Sequence, residues 1–254
     1  RAEATTTAGG RAAAAAVTCA THRCSALVVG NANYTRGALP PAARRDAKDM
    51  AAALEQLGFR VSRLLDATRR QMKNALKALF KSVDSGSVVL LYFIGHGFQL
   101  DGANYLLPVD YPVEQGVKAF DKAVAVSRLL QSLGKRKAAA SLVVLDACRP
   151  GPLRGKAAEG LAPVAAPLGG IVALAAAPGA VFEVASLYTR RLLEQLAEPG
   201  LRVEEVFKQL RKQVVNETSG RQVPWESSAL LADFVPNARV GVAKARSTPQ
   251  TSEL

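Results

Sequence analysis

The chain has 254 residues, of which 49% are hydrophobic and 21% charged, so it can bury the core of one sizeable α/β domain. Its three cysteines argue against a disulfide framework, and no apolar run reaches the ~18–20 residues of a membrane span. The net charge of +12 favours acidic partners such as nucleic acid or an anionic membrane. No aromatic residues interleave with the basic ones, so a solvated basic surface is the simpler interpretation.

Residues 1–24 are rich in Ala and Thr and contain a single acid, Glu3. This composition is typical of the end of a targeting segment, but it fits a disordered leader at least as well, and we expect a leader. Cys19, His22 and Cys24 lie close together, yet three ligands at this spacing are a weak zinc motif. We therefore exclude the segment from the functional site and expect no metal.

Predicted strands and helices alternate from residue 26 onward. The first strand covers 26–29, and a helix over 46–57 follows it. The next strand covers 59–65, and Thr68 with Gln71 forms a capping box for the second helix.

The second helix has an apolar stripe, which predicts a buried face. Its opposite face carries the best nucleic-acid candidate in the sequence, the basic row Arg69, Lys73, Lys77 and Lys81. A solvent-facing surface explains such a row more simply, so we expect no nucleic-acid partner.

Two apolar runs of strand length each end at a reactive side chain. Residues 88–94 (VVLLYFI) precede His96, and residues 142–145 (LVVL) precede Cys148. His96 is the only histidine and Cys148 the only cysteine of the predicted folded region. In open parallel α/β sheets, sites are built at the carboxyl ends of the strands. Together the two residues therefore predict a site more strongly than either does alone.

The remaining elements complete an α/β pattern. Asp101-Gly102 predicts the turn of a hairpin. Further helices are predicted over 124–133, 187–196 and 203–215, strands over 171–177 and within 225–234, and a polar tail over 236–254. This alternation predicts a mainly parallel sheet with helices on both faces.

Cys148 and His96 predict nucleophilic catalysis. A thiol with a pKa near ~8.5 becomes a good nucleophile at neutral pH only when a neighbour such as an imidazole stabilises the thiolate. Gly97 can bring its N–H close to a substrate carbonyl because no side chain intervenes. With the N–H of Cys148 it would form an oxyanion hole, in which one donor is worth roughly 3–4 kcal/mol.

The motifs FIGHG at 93–97 and DACR at 146–149 resemble the caspase superfamily. Residues 97–110 and 220–228 are similar to its paracaspase and prokaryotic caspase-like branch. The resemblance runs from about residue 26 to residue 234. It implies a caspase-like three-layer α/β sandwich over 25–235, with a p20-like part at 25–155 and a p10-like part at 168–235.

The resemblance also implies a cysteine endopeptidase with a Cys148–His96 dyad. True caspases cleave after Asp and have Gln where this chain has Asp146, whereas paracaspases and metacaspases bind Arg or Lys at P1 through acids. Three acids match that pattern: Asp46, Asp146 and Glu183. On a strand, positions 146 and 148 face the same side, and a carboxylate there would oppose thiolate formation unless it binds a cation.

Each of these acids has an alternative interpretation or a complication. Asp46 could instead interact with a helix N-terminus, and Glu183 could be a solvated loop acid. Arg45 stands where the family commonly has Asn, and it could pair with Asp46 and reduce the role of that acid.

The expected partner is a protein or peptide substrate with a basic P1 residue. The resemblance also suggests homodimers and programmed cell death, and we expect a cytoplasmic protein without membrane contact or cofactor. No acid cluster resembles the calcium site of metacaspases. Two other functions stay open, namely a catalytically silent caspase-like scaffold or regulator and a basic α/β domain that binds nucleic acid.

Overall fold

The computed structural model describes residues 16–147, 153, 160–181 and 186–239. Two residues predicted for the site, Cys148 and Glu183, lie outside the described residues.

Strands and helices alternate through most of the described chain. The strands are β1 (Cys24–Gly30), β2 (Arg60–Leu65), β3 (Val88–Ile94), β4 (Gly97–Leu100), β5 (Ala103–Leu106), β6 (Val124–Ala125), β7 (Ala140–Asp146), β8 (Gly170–Leu174) and β9 (Trp225–Ser228). The helices are α1 (Ala42–Gln56), α2 (Arg69–Ser82), α3 (Val126–Gly134), α4 (Leu187–Ala197) and α5 (Val203–Glu217), with a 3-10 segment at Val113–Lys122.

A six-stranded sheet in the order β2-β1-β3-β7-β8-β9 forms the middle layer. All of its pairings are parallel except that of β8 with the edge strand β9. Strands β1, β3, β7 and β8 are buried along their whole length, as expected where helices cover both faces of a parallel sheet. The predicted fold class, a mainly parallel α/β sandwich, is confirmed.

The strand order determines which helices share a face. The chain moves from β1 outward to β2 and then back past β1 to β3, so right-handed crossovers place α1 and α2 on opposite faces. Helix α4 contacts both α1 and α5, which shows that these three helices form one layer. The hairpin of β4 and β5 pairs with β6 in a separate small sheet.

Helix α1 begins at Ala42 rather than at residue 46 as predicted. Pro41 at its N-cap already has helical dihedral angles (φ −54°, ψ −18°), and the fixed φ of proline suits the start of a helix. The predicted strand within 225–234 ends at Ser228, and the 3-10 segment was not predicted.

Residues 16–24, predicted as part of a disordered leader, are instead held against the domain. Val17 N donates to Asp233 O (2.8 Å), and Val17 O accepts from Val235 N (2.9 Å). This pairing buries Val17 in the same apolar core as Phe234. Burial of the apolar side chain of Val17 stabilises the docked segment.

Cys19 and Cys24 form a disulfide, with their Cα atoms 5.4 Å apart. The sequence argues against a disulfide framework, and this single bridge within one short segment is not a framework. The pairing of these two cysteines was not predicted. The bond also removes the two thiolates that a zinc site at this segment would need.

The predicted polar tail also begins with residues that contact the domain: Asn237 Nδ2 donates to Ala197 O (2.6 Å) and Arg239 donates to Gln56 O (3.1 Å). Among the residues described, none of the helices has the length and apolar character needed to cross a membrane.

The capping box of α2 is confirmed and can be tested. Gln71 N donates to Thr68 Oγ1 (3.4 Å), and Thr68 N donates to Gln71 Oε1 (2.8 Å). We expect Thr68→Ala to lower the free energy of unfolding by about 1 kcal/mol, because it removes a side-chain acceptor at the helix start. Urea unfolding measures this change, and Thr68→Ser is the control that should retain most of the stability. Equal stability of the alanine and serine variants would contradict the assignment.

Candidate active site

The carboxyl ends of β3 and β7 lie side by side. Ile94 pairs with Asp146 in parallel register, and Gly95 N donates to Asp146 O (3.2 Å). Just beyond the strands, a Cβ placed on Gly97 would lie 3.2 Å from the Cβ of Ala147. The chain segment that carries His96 therefore lies close to the residue that precedes Cys148, with little room for a side chain at position 97.

His96 is buried, with 1% of its surface exposed. Its Nε2 lies 2.6 Å from the carbonyl oxygen of Gly37. A carbonyl can only accept a hydrogen bond, so Nε2 carries the hydrogen and Nδ1 is the basic nitrogen of the neutral ring. Gly37 has a φ of +71°, a backbone conformation that favours glycine, so this loop geometry depends on the missing side chain.

Tyr34 holds the main chain around His96. Its hydroxyl accepts from His96 N (2.9 Å) and donates to Leu107 O (3.2 Å), and its ring lies 4.7 Å from the imidazole. Burial raises the pKa of Tyr34 above its usual value, so the phenol keeps the proton that it donates. A Cβ at Gly95 would come within 2.6 Å of this hydroxyl, which explains the glycine before His96.

The N–H of Gly97 is not used by the hairpin ladder. Gly97 stands opposite Leu106, and Leu107 N donates to His96 O (2.9 Å). Because bonded and non-bonded residue pairs alternate in antiparallel ladders, Gly97 and Leu106 form a non-bonded pair. The Gly97 N–H therefore points away from β5, in a direction where it can serve a ligand.

Two acids predicted for the substrate pocket are buried near the phenol of Tyr92. Asp146 is 0% exposed and Asp46 is 6% exposed. The pKa of Tyr92 lies well above its usual value, chiefly because of burial and then because of the negative charge of Asp146, with a smaller contribution from Asp46. Thr189 Oγ1 donates to Asp146 Oδ2 (3.3 Å) and lies 2.5 Å from the Tyr92 hydroxyl.

The structure argues against the helix-terminus alternative for Asp46, and its place in a substrate pocket stays a prediction. Because α1 begins at Ala42, its first turn contains no acid, and Asp46 lies on the core-facing side with Ala43, Ala47 and Met50. Arg45 is exposed on the other side of the helix. Glu183 cannot be placed, because it lies outside the described residues.

Four residues of this region were not predicted from the sequence as part of it: Tyr34, Gly37, Tyr92 and Thr189. Tyr92 gave one usable signal, because it is the single hydroxyl-bearing residue of the buried strand β3, and a buried tyrosine hydroxyl needs a partner. Tyr34 and Gly37 lie in a loop whose path no local pattern specifies.

In the part of the chain that the structure describes, no group of three or more His, Cys, Asp or Glu side chains is arranged to hold a metal ion.

The sheet is mainly parallel and covered on both faces, a histidine follows one central strand, and a cysteine follows the neighbouring strand in the sequence. This arrangement fits the class of caspase-like folds. A family model described as Caspase domain matches residues 23–235, so the chain belongs to the caspase family. The crystal structure of the Drosophila initiator caspase Dronc superposes with a TM-score of 0.62 at 13% identity, covering 85% of this chain and 83% of that one. At that identity the match shows the fold alone.

Two curated proteins match part of the sequence. The chain is 32% identical over 124 residues to the human mucosa-associated lymphoid tissue lymphoma translocation protein 1, covering 49% of this chain and 15% of that protein. The mouse homolog is 31% identical over 124 residues, covering 49% and 14%. The match is thus confined to about one seventh of these longer proteins.

The role of Tyr34 gives a prediction for the site. Tyr34→Phe removes the acceptor of the buried His96 N–H, and leaving such a donor without a partner costs about 1–3 kcal/mol. We expect the variant to lose stability by that amount and hydrogen exchange to accelerate at residues 95–97. The control is Tyr105→Phe, in a half-buried tyrosine outside these hydrogen bonds. Unchanged exchange at residues 95–97 in Tyr34→Phe would contradict the role.

Proposed function

We propose that the protein is a cysteine endopeptidase that cleaves peptide bonds after Arg or Lys, with Cys148 as nucleophile and His96 as base. The observation that carries this proposal is the pairing of β3 with β7, which brings Gly97, just beyond β3, close to Ala147, just beyond β7. Because Cys148 directly follows Ala147 in the sequence, we expect its thiol at the same edge of the sheet as the imidazole.

The first chemical step would be formation of an ion pair. With Nε2–H donated to Gly37 O, the Nδ1 atom of His96 is the nitrogen that takes the thiol proton. The hydrogen bond to the carbonyl fixes the ring and stabilises the imidazolium that results. The thiolate of Cys148 attacks the carbonyl carbon of the scissile bond, and the oxyanion is bound by the N–H groups of Gly97 and Cys148.

The remaining steps return the enzyme to its starting state. The imidazolium of His96 donates its Nδ1 proton to the leaving amine as the C–N bond breaks, which leaves a thioester on Cys148. Water then attacks the thioester while His96 accepts its proton, and the acid product leaves.

The basic P1 preference is supported by the two buried acids. Asp46 and Asp146 place negative charge in one region, which attracts a guanidinium or ammonium and repels the carboxylate of a P1 aspartate. Glu183 is proposed as a third acid of this pocket on the resemblance alone.

One residue of the basic row proposed for nucleic-acid binding is already bonded within the molecule. Arg69, the first member of the basic row on α2, donates to Asp121 O (2.9 Å) within the molecule.

Homodimer formation and a role in programmed cell death stay predictions. So does the cytoplasmic location, although the Cys19–Cys24 disulfide is more typical of oxidising compartments.

The direct test of this function is hydrolysis of matched fluorogenic peptides that differ only at P1. We expect cleavage after Arg and Lys and none after Asp, because the pocket acids reject an anion. Cys148→Ala is the blank and should lower kcat by at least about a thousandfold, since it removes the nucleophile. Cleavage after Asp but not after Arg would refute the pocket assignment, and cleavage by the alanine variant would refute the nucleophile.

A second test measures how much the charge of Asp46 contributes to recognition of the P1 residue. Asp46→Asn keeps the shape of the side chain but removes its charge, and we expect kcat/KM for P1 arginine to fall about 10–100-fold through loss of a charge-assisted hydrogen bond. The matched control is Asp49→Asn, an exposed acid on the same helix, which should change kcat/KM less than about twofold. Similar values for the two variants would show that Asp46 does not contact the substrate.

A further inference from the structure

The hydroxyl of Thr189 joins three elements of the core. Thr189 lies in the first turn of α4, is 1% exposed, and contacts Tyr92 on β3 and Asp146 at the end of β7. Thr189 Oγ1 donates to Asp146 Oδ2, and this bond uses the single hydrogen of the hydroxyl. Tyr92 must then donate its own hydrogen to Thr189, which gives one directed chain from Tyr92 through Thr189 to Asp146.

The buried Thr218 makes a different bond. Thr218, at the end of α5, donates to the carbonyl of Val214 in the preceding turn (2.8 Å), the usual local arrangement. Thr189 instead reaches across the layer to a carboxylate on the sheet. This bond satisfies no backbone group of α4, so helix stability alone does not account for the buried hydroxyl of Thr189.

The direction of the chain is kept by its environment. Burial and the nearby carboxylates raise the pKa of Tyr92 well above its usual value, so the phenol stays protonated and remains a donor at neutral pH. Thr189 therefore keeps its hydrogen for Asp146, and the carboxylate is held by a donor that does not titrate.

We propose that Thr189, supported by Tyr92, is a positioning residue that fixes the orientation of the Asp146 carboxylate and thereby sets a preference for arginine over lysine at P1. This rests on the proposed function, since it concerns the same pocket. A guanidinium is a planar fork that binds a carboxylate in one orientation, whereas an ammonium is a point charge with rotatable donors. A carboxylate that lacks this donor is less well oriented, and we expect it to lose more affinity for arginine than for lysine.

The test compares wild type with Thr189→Val, which keeps the shape of the side chain but removes the hydroxyl, on peptides with Arg or Lys at P1. We expect kcat/KM to fall about tenfold for Arg and about twofold for Lys, with most of the change in KM. Thr189→Ser should restore the Arg preference, and Tyr92→Phe should lower it in the same direction as Thr189→Val. An unchanged Arg-to-Lys ratio in folded Thr189→Val would overturn the proposal.

Thr218→Val is the matched control, a buried threonine whose hydroxyl bonds only within its own segment. It is expected to lower the melting temperature and to leave the Arg-to-Lys ratio unchanged. If Thr218→Val alters the Arg-to-Lys ratio as much as Thr189→Val does, the change in the ratio comes from lower stability, and the proposal fails.

A binding experiment separates this proposal from the catalytic one. In a Cys148→Ala background, calorimetry with uncleaved P1-Arg and P1-Lys peptides should show that Thr189→Val weakens the Arg peptide about tenfold and the Lys peptide less. Equal weakening of both peptides, or none, overturns the role of Thr189 even if the wild-type enzyme is active. Thr189-dependent binding by a wild-type chain that cleaves neither peptide would support the role and refute the proposed catalysis.

Discussion

The parallel pairing of β3 with β7 is the constraint on which the rest of the site depends. Every residue of both strands is buried, and the register brings Ile94 opposite Asp146. A shift of one residue would turn the side chains of one strand to the opposite face, and both faces are covered by helices. The positions of the residues just beyond the strands therefore follow from the packing of the sheet as a whole.

Polar groups inside this apolar core are stabilised by partners from distant parts of the chain. Tyr34, from the loop after β1, supports the main chain of His96, and Gly37 of the same loop accepts the bond from its ring. Thr189, from α4, supports Asp146. Since an unpaired polar group at such depth is costly, the loop and the helix contribute to the stability of the strand ends.

The sequence predicts the site best where a residue's position follows from a buried strand. The runs before His96 and Cys148 are apolar and of strand length, so their adjacency at one sheet edge could be expected, and so could the turn at Asp101-Gly102. The contacts of Tyr34 and Thr189 could not, because they join segments far apart in the chain and no periodicity specifies them. The docking of Val17 was missed for the same reason, since its partner strand segment follows more than two hundred residues later.

The central claim, that the thiol of Cys148 and the imidazole of His96 share one cleft, is tested most directly by alkylation. Because Cys19 and Cys24 are joined, Cys148 is the remaining cysteine, and mass spectrometry can follow its reaction with iodoacetamide across pH. We expect Cys148 to react rapidly in wild type at pH values well below the ordinary thiol pKa of ~8.5, and to react in His96→Ala only as the pH approaches that pKa. Identical profiles in the two proteins, both with the ordinary pKa, would contradict it.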